Sequence, residues 1–97
     1  MEQQHTYKLI DGEFKPSDAK SILFTLVNSK INFHRLESFG ITIRTSGDIS
    51  FHENRIKELS QTNVDIKKVM DYAAENKLRL KINGTIEIEL INEPNKN

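Results

Sequence analysis

The three histidines, His5, His34 and His52, are the side chains of this chain best suited to metal binding or acid–base chemistry. Histidine ligands of metals commonly lie three or four residues apart on one helix, or on neighbouring strands, and these three have no such spacing. An antiparallel helix pair would still bring His34 near His52, with Glu37 or Glu53 beside them. Because two histidines and scattered carboxylates often meet by chance, we interpret them as partly exposed surface residues and predict no metal site.

The polar stretch around His34 is the candidate for a small-molecule site. Asn28, Asn32 and Arg35 share one face of a helix by their spacing. Together with His34 they would bind a ligand through amide, imidazole and guanidinium groups. The same residues also fit a solvated helix face opposite apolar side chains, and we favour that interpretation.

Signatures of catalysis are lacking. The chain has no glycine-rich phosphate loop, no Gly-x-Ser-x-Gly elbow and no paired carboxylate motif. It has no cysteine, which excludes disulfides, thiol catalysis and cysteine zinc sites. We therefore predict no catalytic residue and no cofactor, and we expect a protein that is not an enzyme.

Charge and length exclude further classes of function. Lysine and arginine number 14, as do aspartate and glutamate, so the formal net charge is zero. Nucleic-acid binders usually carry a basic excess, so we predict no nucleic-acid partner. The first residues do not resemble a signal peptide, and no apolar run approaches the ~20 residues that span a bilayer. We expect a cytoplasmic protein without membrane association, with one domain over residues 1–97 and a frayed tail from about residue 92.

The end of the chain alternates apolar and polar side chains on both sides of Gly84, which is typical of strands in a half-buried sheet. The polar positions are basic before Gly84 and acidic after it. Antiparallel pairing about Gly84 therefore sets Lys81 opposite Glu87 and Arg79 opposite Glu89, and such cross-strand pairs stabilise a sheet.

Two structures are compatible with this charge pattern. In one, Leu78–Ile91 forms a β-hairpin. A two-residue turn at Asn83-Gly84 sends the two apolar rows to opposite faces, whereas a three-residue loop over Asn83-Gly84-Thr85 keeps them together but puts β-branched Thr85 where such loops usually have glycine. In the other, it forms one long strand that pairs with its copy in a homodimer, as a self-complementary patch allows. The candidate self-association residues are Arg79, Lys81, Gly84, Glu87 and Glu89.

Two shorter segments have strand character. Tyr7–Phe14 is predicted to be a strand that turns at Asp11-Gly12 and sets Leu9 opposite Phe14. Ile41–Thr45 fits either a short strand or an extended connection.

Two long helices are predicted between these strands. The first covers Pro16–Phe39 and stops at Gly40. The second follows a capping box formed by Ser50 and Glu53 and ends near Asn76, whose side chain tolerates a left-handed backbone.

Apolar residues recur every three or four positions along both helices, which predicts one inward face on each. On the first helix they are Ile22, Leu23, Leu26, Val27 and Ile31. On the second they are Ile56, Leu59, Ile66, Met70 and Ala73, with Asn63 completing the heptad-like row. Asn63 either sets the register of the pair or turns outward in favour of Thr62 or Val64.

These elements predict an α+β fold. An antiparallel pair of long helices is expected to pack on a small, mainly antiparallel β-sheet formed by the N- and C-terminal strands. The residues expected to face the helices from the C-terminal strand are Leu80, Ile82, Ile86, Ile88 and Leu90.

Two motifs give the chain a resemblance to small uncharacterised bacterial proteins of unknown function. Those proteins open with Ile-Asp-Gly-x-Phe-x-Pro, which is Ile10–Pro16 here, and carry Ile-Asn-Phe-His in the first helix, which is Ile31–His34 here. The resemblance covers most of the chain and implies a bacterial protein. It implies no activity and carries over no site residue.

We therefore expect a small cytoplasmic interaction module that is not catalytic and self-associates as a homodimer, with an unidentified protein as a possible further partner. The alternative is a small ligand-binding protein or minor enzyme that uses the polar face of the first helix around His34.

Overall fold

The computed structural model describes residues 1–45 and 47–93 in the order strand, helix, helix, strand. β1 spans Gln4–Phe14, α1 Pro16–Thr45, α2 Ser50–Glu75 and β2 Leu80–Glu89. The helices pack against each other and the strands form an antiparallel sheet, so the predicted α+β class is confirmed. Backbone contacts divide the chain into two compact units, a helix unit of residues 14–80 and a sheet unit of residues 1–13 and 81 onward. The end of the predicted frayed tail, residues 94–97, lies outside the described residues.

β2 is a single strand that pairs with β1, so a hairpin at Asn83-Gly84 is wrong. Gly84 lies beside Ile10, since a Cβ atom built on Gly84 would be 3.7 Å from the Cβ of Ile10. Beyond the end of β2, the N–H of Leu90 donates to the carbonyl of Gln3 at 2.7 Å. Lys81 and the acidic residues Glu87 and Glu89 therefore lie along one extended strand and are not paired with each other.

β1 passes through Asp11 and Gly12 without turning, so the predicted Asp-Gly turn is also wrong. A two-residue type I′ turn needs a positive φ at both central residues, and Gly12 has none. Leu9 is exposed whereas Ile10 and Phe14 are half-buried. Leu9 and Phe14 therefore lie on opposite faces of one strand, because pairing with β2 keeps this segment extended.

Burial decreases along β2. Leu80 and Ile82 are half-buried, but the second half of the predicted apolar row is exposed, namely Ile86, Ile88 and Leu90. The expectation that the whole row is interior is therefore wrong for its second half.

α1 begins at Pro16 as predicted but continues through Gly40 to Thr45. The predicted stop at Gly40 and the strand or extended connection over Ile41–Thr45 are therefore wrong. Glycine ends a helix by adopting a positive φ, and Gly40 does not have a positive φ. Within a helix, glycine costs only about 1 kcal/mol relative to alanine.

Although α1 has 30 residues, no helix in the described part of the chain has both the length and the apolar character needed to cross a membrane.

Asp48 hydrogen-bonds to the first residue of α2, and the predicted capping box does not form. Asp48 Oδ1 accepts hydrogen bonds from the hydroxyl of Ser50 at 2.6 Å and from its N–H at 2.8 Å. These bonds hold the pKa of Asp48 below its usual value, and the hydroxyl contributes most. Ser50 is already within the helix, so it cannot form the N-cap that a capping box with Glu53 requires.

The end of α2 is a Schellman motif. The N–H of Leu78 donates to the carbonyl of Ala73 at 2.8 Å, and the N–H of Lys77 donates to the carbonyl of Ala74 at 3.4 Å. The predicted end near Asn76 is confirmed, but the left-handed residue is Lys77, with φ of 56°. The Asn76 side chain instead donates to the carbonyl of Tyr72 at 2.8 Å.

The interface between α1 and α2 contains the small core of the helix unit. Most of the predicted inward residues are buried or half-buried, but Leu26 is 40% exposed and its predicted burial is wrong. Asn63 lies in the interface row, since Thr62 and Val64 are both exposed. The buried apolar residues among those described are Ala19, Ile31, Met70 and Ala73.

Replacing Lys77 with glycine is expected to raise the free energy of unfolding by about 0.5–1 kcal/mol, because glycine adopts a positive φ without a Cβ clash. Urea denaturation measures the change. Lys57→Gly, in the exposed interior of α2, is the control and should lower stability by about 1 kcal/mol. If the free energy of unfolding changed in the same direction in both variants, the left-handed conformation assigned to Lys77 would be contradicted.

Met70→Ala is expected to cost about 2–5 kcal/mol, as for other large-to-small changes in a core. Val64→Ala, at an exposed position of the same helix, should change stability by no more than about 0.5 kcal/mol. Equal losses in the same denaturation series would mean that α2 presents another face to α1.

Candidate functional site

His34 and His52 meet across the helix interface. Their Nδ1 atoms are 2.8 Å apart, which is hydrogen-bonding distance. α1 and α2 run antiparallel through a short connection, and this places the late part of α1 beside the start of α2. The proximity considered from the sequence is therefore observed. The favoured interpretation, two partly exposed histidines, is wrong for His34, which is only 3% exposed.

Aromatic side chains surround this histidine pair. Phe33 lies edge-on to the His34 ring, with ring centroids 5.3 Å apart, and Phe51 lies edge-on from α2 at 6.1 Å. The Nε2 atom of His34 is buried and has no hydrogen-bond partner among the described residues. One ring must donate Nδ1–H and the other must accept, and either assignment leaves His34 Nε2 unsatisfied.

The surroundings of His34 favour its neutral form. Burial makes the largest contribution and lowers the pKa of His34 below the usual value for histidine. Smaller contributions come from Lys30, His52 and Arg55, which lower it, and from Glu37, which raises it. A neutral His34 places no charge of its own in the helix interface.

This geometry suits a structural bridge better than a reactive site. A general base must reach the proton that it abstracts, but the free nitrogen of His34 points into the protein. In the described residues no group of three or more histidine, aspartate or glutamate side chains is placed to hold a metal ion. The histidine pair therefore links the two helices at the end where the chain passes from one to the other.

The four residues of the predicted ligand site do not come together. Asn28 accepts a hydrogen bond from Asn63 of α2 at 2.8 Å. Asn32 and Arg35 are exposed, and His34 is buried against α2. Asn28, Asn32 and Arg35 thus lie along the solvated margin of the helix pair, on another side of α1 from His34.

The predicted self-association residues lie along and just before β2. Arg79, Lys81, Glu87 and Glu89 are exposed, and Gly84 is half-buried. Glu87 and Glu89 also line an open hollow of about 270 Å³ in the sheet unit. The other lining residues are Gln4, His5, Thr6 and Ile88. The hollow thus combines two carboxylates with polar side chains of β1.

The sequence analysis missed exposed apolar side chains beside the interface row. Phe33 directly precedes His34 and Phe51 directly precedes His52, and this adjacency is the signal that the sequence offered. The others are Ile22, Leu26 and Leu36 on α1 and Val69 and Tyr72 on α2. All except the half-buried Ile22 are exposed. On α2, Arg55, Glu58, Thr62 and Asp65 separate Phe51 from Val69.

Comparisons of the chain with family models, with curated proteins and with solved structures find no match. The resemblance to small bacterial proteins therefore rests on its two motifs alone and stays a prediction.

The protein is expected to lose stability as the pH falls below about 6.5, the usual pKa of histidine. The folded state has the lower His34 pKa, so the unfolded state binds the proton first and acid favours unfolding. His34→Gln removes the titrating group and keeps an amide able to bond His52. Urea denaturation between about pH 7 and pH 5 should show a shallower pH dependence for this variant. Equal slopes in both proteins would contradict the assignment.

Proposed function

We propose that this protein is a small, non-catalytic interaction module that associates with itself as a homodimer. The observation that carries the proposal is the accessible surface of the described residues: β2 keeps one edge that no other strand of these residues pairs with, and many large apolar side chains are exposed.

Large apolar side chains form part of that surface, which supports association. Monomeric proteins rarely expose large contiguous apolar patches. In this chain, few apolar residues are buried and many are exposed. The most exposed large ones after Met1 are Leu36, Phe39, Phe51, Tyr72 and Ile91.

The contact that we propose between two copies is the edge of β2. In a two-stranded sheet, each strand keeps one edge that no other strand of the described residues pairs with. Such an edge offers N–H and C=O groups to a strand of another chain. A sheet of two strands is marginally stable, and further strands stabilise it. Antiparallel pairing of β2 with its copy makes a four-stranded sheet with β1 on both outer sides.

The charges along β2 suit this pairing. Lys81 and Glu87 are about 20 Å apart along one strand, so they cannot contact each other within the chain. A twofold axis at Gly84 sets Lys81 opposite Glu87 of the second copy and Arg79 opposite Glu89.

Other functions have less support. A ligand-binding protein or minor enzyme around His34 needs an accessible imidazole, and that of His34 is buried. A zero net charge argues against a nucleic-acid partner. Our proposal includes a cytoplasmic location, which the lack of cysteine fits, and a bacterial source, which rests on the two sequence motifs. It leaves room for a further protein partner.

Charge reversal tests the β2 contact. The Arg79→Glu/Lys81→Glu variant should associate less than the wild type, because like charges then face each other across the axis. The Glu87→Lys/Glu89→Lys variant should show the same defect. An equimolar mixture should associate again as a heterodimer. Sedimentation equilibrium measures the mass of each sample.

The control is Lys57→Glu/Lys68→Glu, which makes the same change in net charge at exposed positions of α2 and should leave the mass unchanged. Circular dichroism checks that every variant is folded. A wild type that stays monomeric at high concentration, or a mixture that does not recover association, would contradict the proposed contact.

A further inference from the structure

Asn83 is the only asparagine of the chain that is followed by glycine. Every other asparagine with a following residue precedes one that has a Cβ atom, as Asn92 precedes Glu93. The side-chain amide of an asparagine is attacked by the backbone nitrogen of the next residue, and a Cβ atom on that residue obstructs the attack. Gly84 has no Cβ atom and leaves the path open. Asn83 is therefore the asparagine most prone to lose its amide.

The fold of the chain does not require glycine at position 84. Gly84 has no positive φ. A Cβ atom built there would meet the side chain of Ile10 at 3.7 Å, an ordinary van der Waals distance. Glycine in the interior of a strand also weakens it. Alanine would therefore fit, and neither the backbone conformation nor the packing of β2 on β1 accounts for the glycine.

The extended backbone of β2 controls the reaction. Asn83 is exposed to water but lies within the strand. An extended backbone turns the Gly84 nitrogen away from the side-chain carbon of Asn83, so the two atoms cannot bond while the strand stays paired. A two-stranded sheet is marginally stable and opens locally more often than a packed core does. Opening of β2 frees the backbone to bring the two atoms together.

We infer that Asn83 is a site of spontaneous deamidation that reacts when β2 opens. The Gly84 nitrogen bonds to Cγ of Asn83 and gives up its hydrogen. The amide nitrogen of Asn83 takes up a hydrogen and leaves as ammonia, which closes a succinimide ring. Water then adds to either ring carbonyl and opens the ring, giving aspartate or isoaspartate. Solvent water is the co-reactant, and nothing is oxidised or reduced.

The two products affect β2 differently. Aspartate adds a negative charge to the strand and keeps the backbone unchanged. Isoaspartate places the Cβ atom of residue 83 in the backbone and lengthens the chain by one atom before Gly84. The residues after Gly84 then lose their register with β1. Chains in which β2 has opened are thereby marked and prevented from re-forming the same sheet, whether or not β2 also pairs with a second copy.

Peptide mass spectrometry tests the inference on the full chain. The protein is incubated in neutral buffer, and samples taken over time are digested with trypsin. Cleavage after Lys81 and Lys96 releases residues 82–96, so Asn83 and its internal control Asn92 lie in one peptide. Asn92 is exposed and lies beyond β2, so its backbone is the less restrained of the two. Asn83 should nevertheless convert to acid several-fold faster, with isoaspartate among the products.

Three variants separate the chemistry from the opening of the strand. Gly84→Ala should slow conversion at Asn83 several-fold in the folded and in the urea-denatured chain. Ile10→Ala removes the side chain beside Gly84 and should speed conversion about tenfold, which corresponds to about 1.4 kcal/mol of pairing free energy. Val64→Ala, at an exposed position of α2, should leave the rate unchanged. Circular dichroism checks that each variant is folded. Urea below the unfolding midpoint should speed the reaction of the wild type as Ile10→Ala does.

The inference can fail at either step. If Asn83 converts no faster than Asn92, or if Gly84→Ala leaves the rate unchanged, Asn83 is not the site. If Asn83 reacts only in the denatured chain, the sheet protects it fully and it is not a site in the folded protein. If neither Ile10→Ala nor urea speeds the reaction, opening of β2 does not control it and the inference is wrong.

Discussion

The packing of α1 against α2 along a single row of residues is the constraint on which the helix unit depends. Alanines at positions 19 and 73 allow close approach at the open end, and the His34–His52 bridge joins the helices where the chain passes between them. This row fixes the rotation of both helices. The rotation then decides which side chains remain at the surface, among them Phe33 and Phe51 beside the histidine pair.

Periodicity predicted this row well, because the repeat of three and four residues is a direct consequence of helix geometry. The second helix follows it from Ile56 to Ala73, with Asn63 in place. Residues that commonly end helices or form turns were less reliable predictors. Gly40 and Asp11-Gly12 are typical of a helix stop and a turn, yet both continue their elements. A local conformational preference of about 1 kcal/mol is readily overridden by contacts with distant parts of the chain. Those contacts cannot be predicted from local sequence patterns.

The candidate site was predictable in part. The antiparallel arrangement correctly brought His34 to His52, but the extent to which Phe33 and Phe51 enclose His34 depends on the exact rotation of both helices. The polar set of Asn28, Asn32 and Arg35 was correctly grouped on one face. Including His34 in that set was wrong, because a histidine at an interface position turns toward the other helix. The unsatisfied Nε2 atom of His34 offsets part of the stability that burial of the ring contributes to the helix unit.

The sheet joins β1, near the start of the chain, to β2, which follows both helices. Contacts between distant segments form slowly, because the intervening chain must first be ordered, whereas adjacent helices form contacts early. During synthesis on the ribosome β1 emerges before both helices and before β2, the strand with which it pairs among the described residues. In that interval its exposed Tyr7 and Leu9, with an unpaired edge on both sides, are open to strands of neighbouring nascent chains. The order of the elements thus separates the synthesis of β1 from that of its partner strand by the length of both helices.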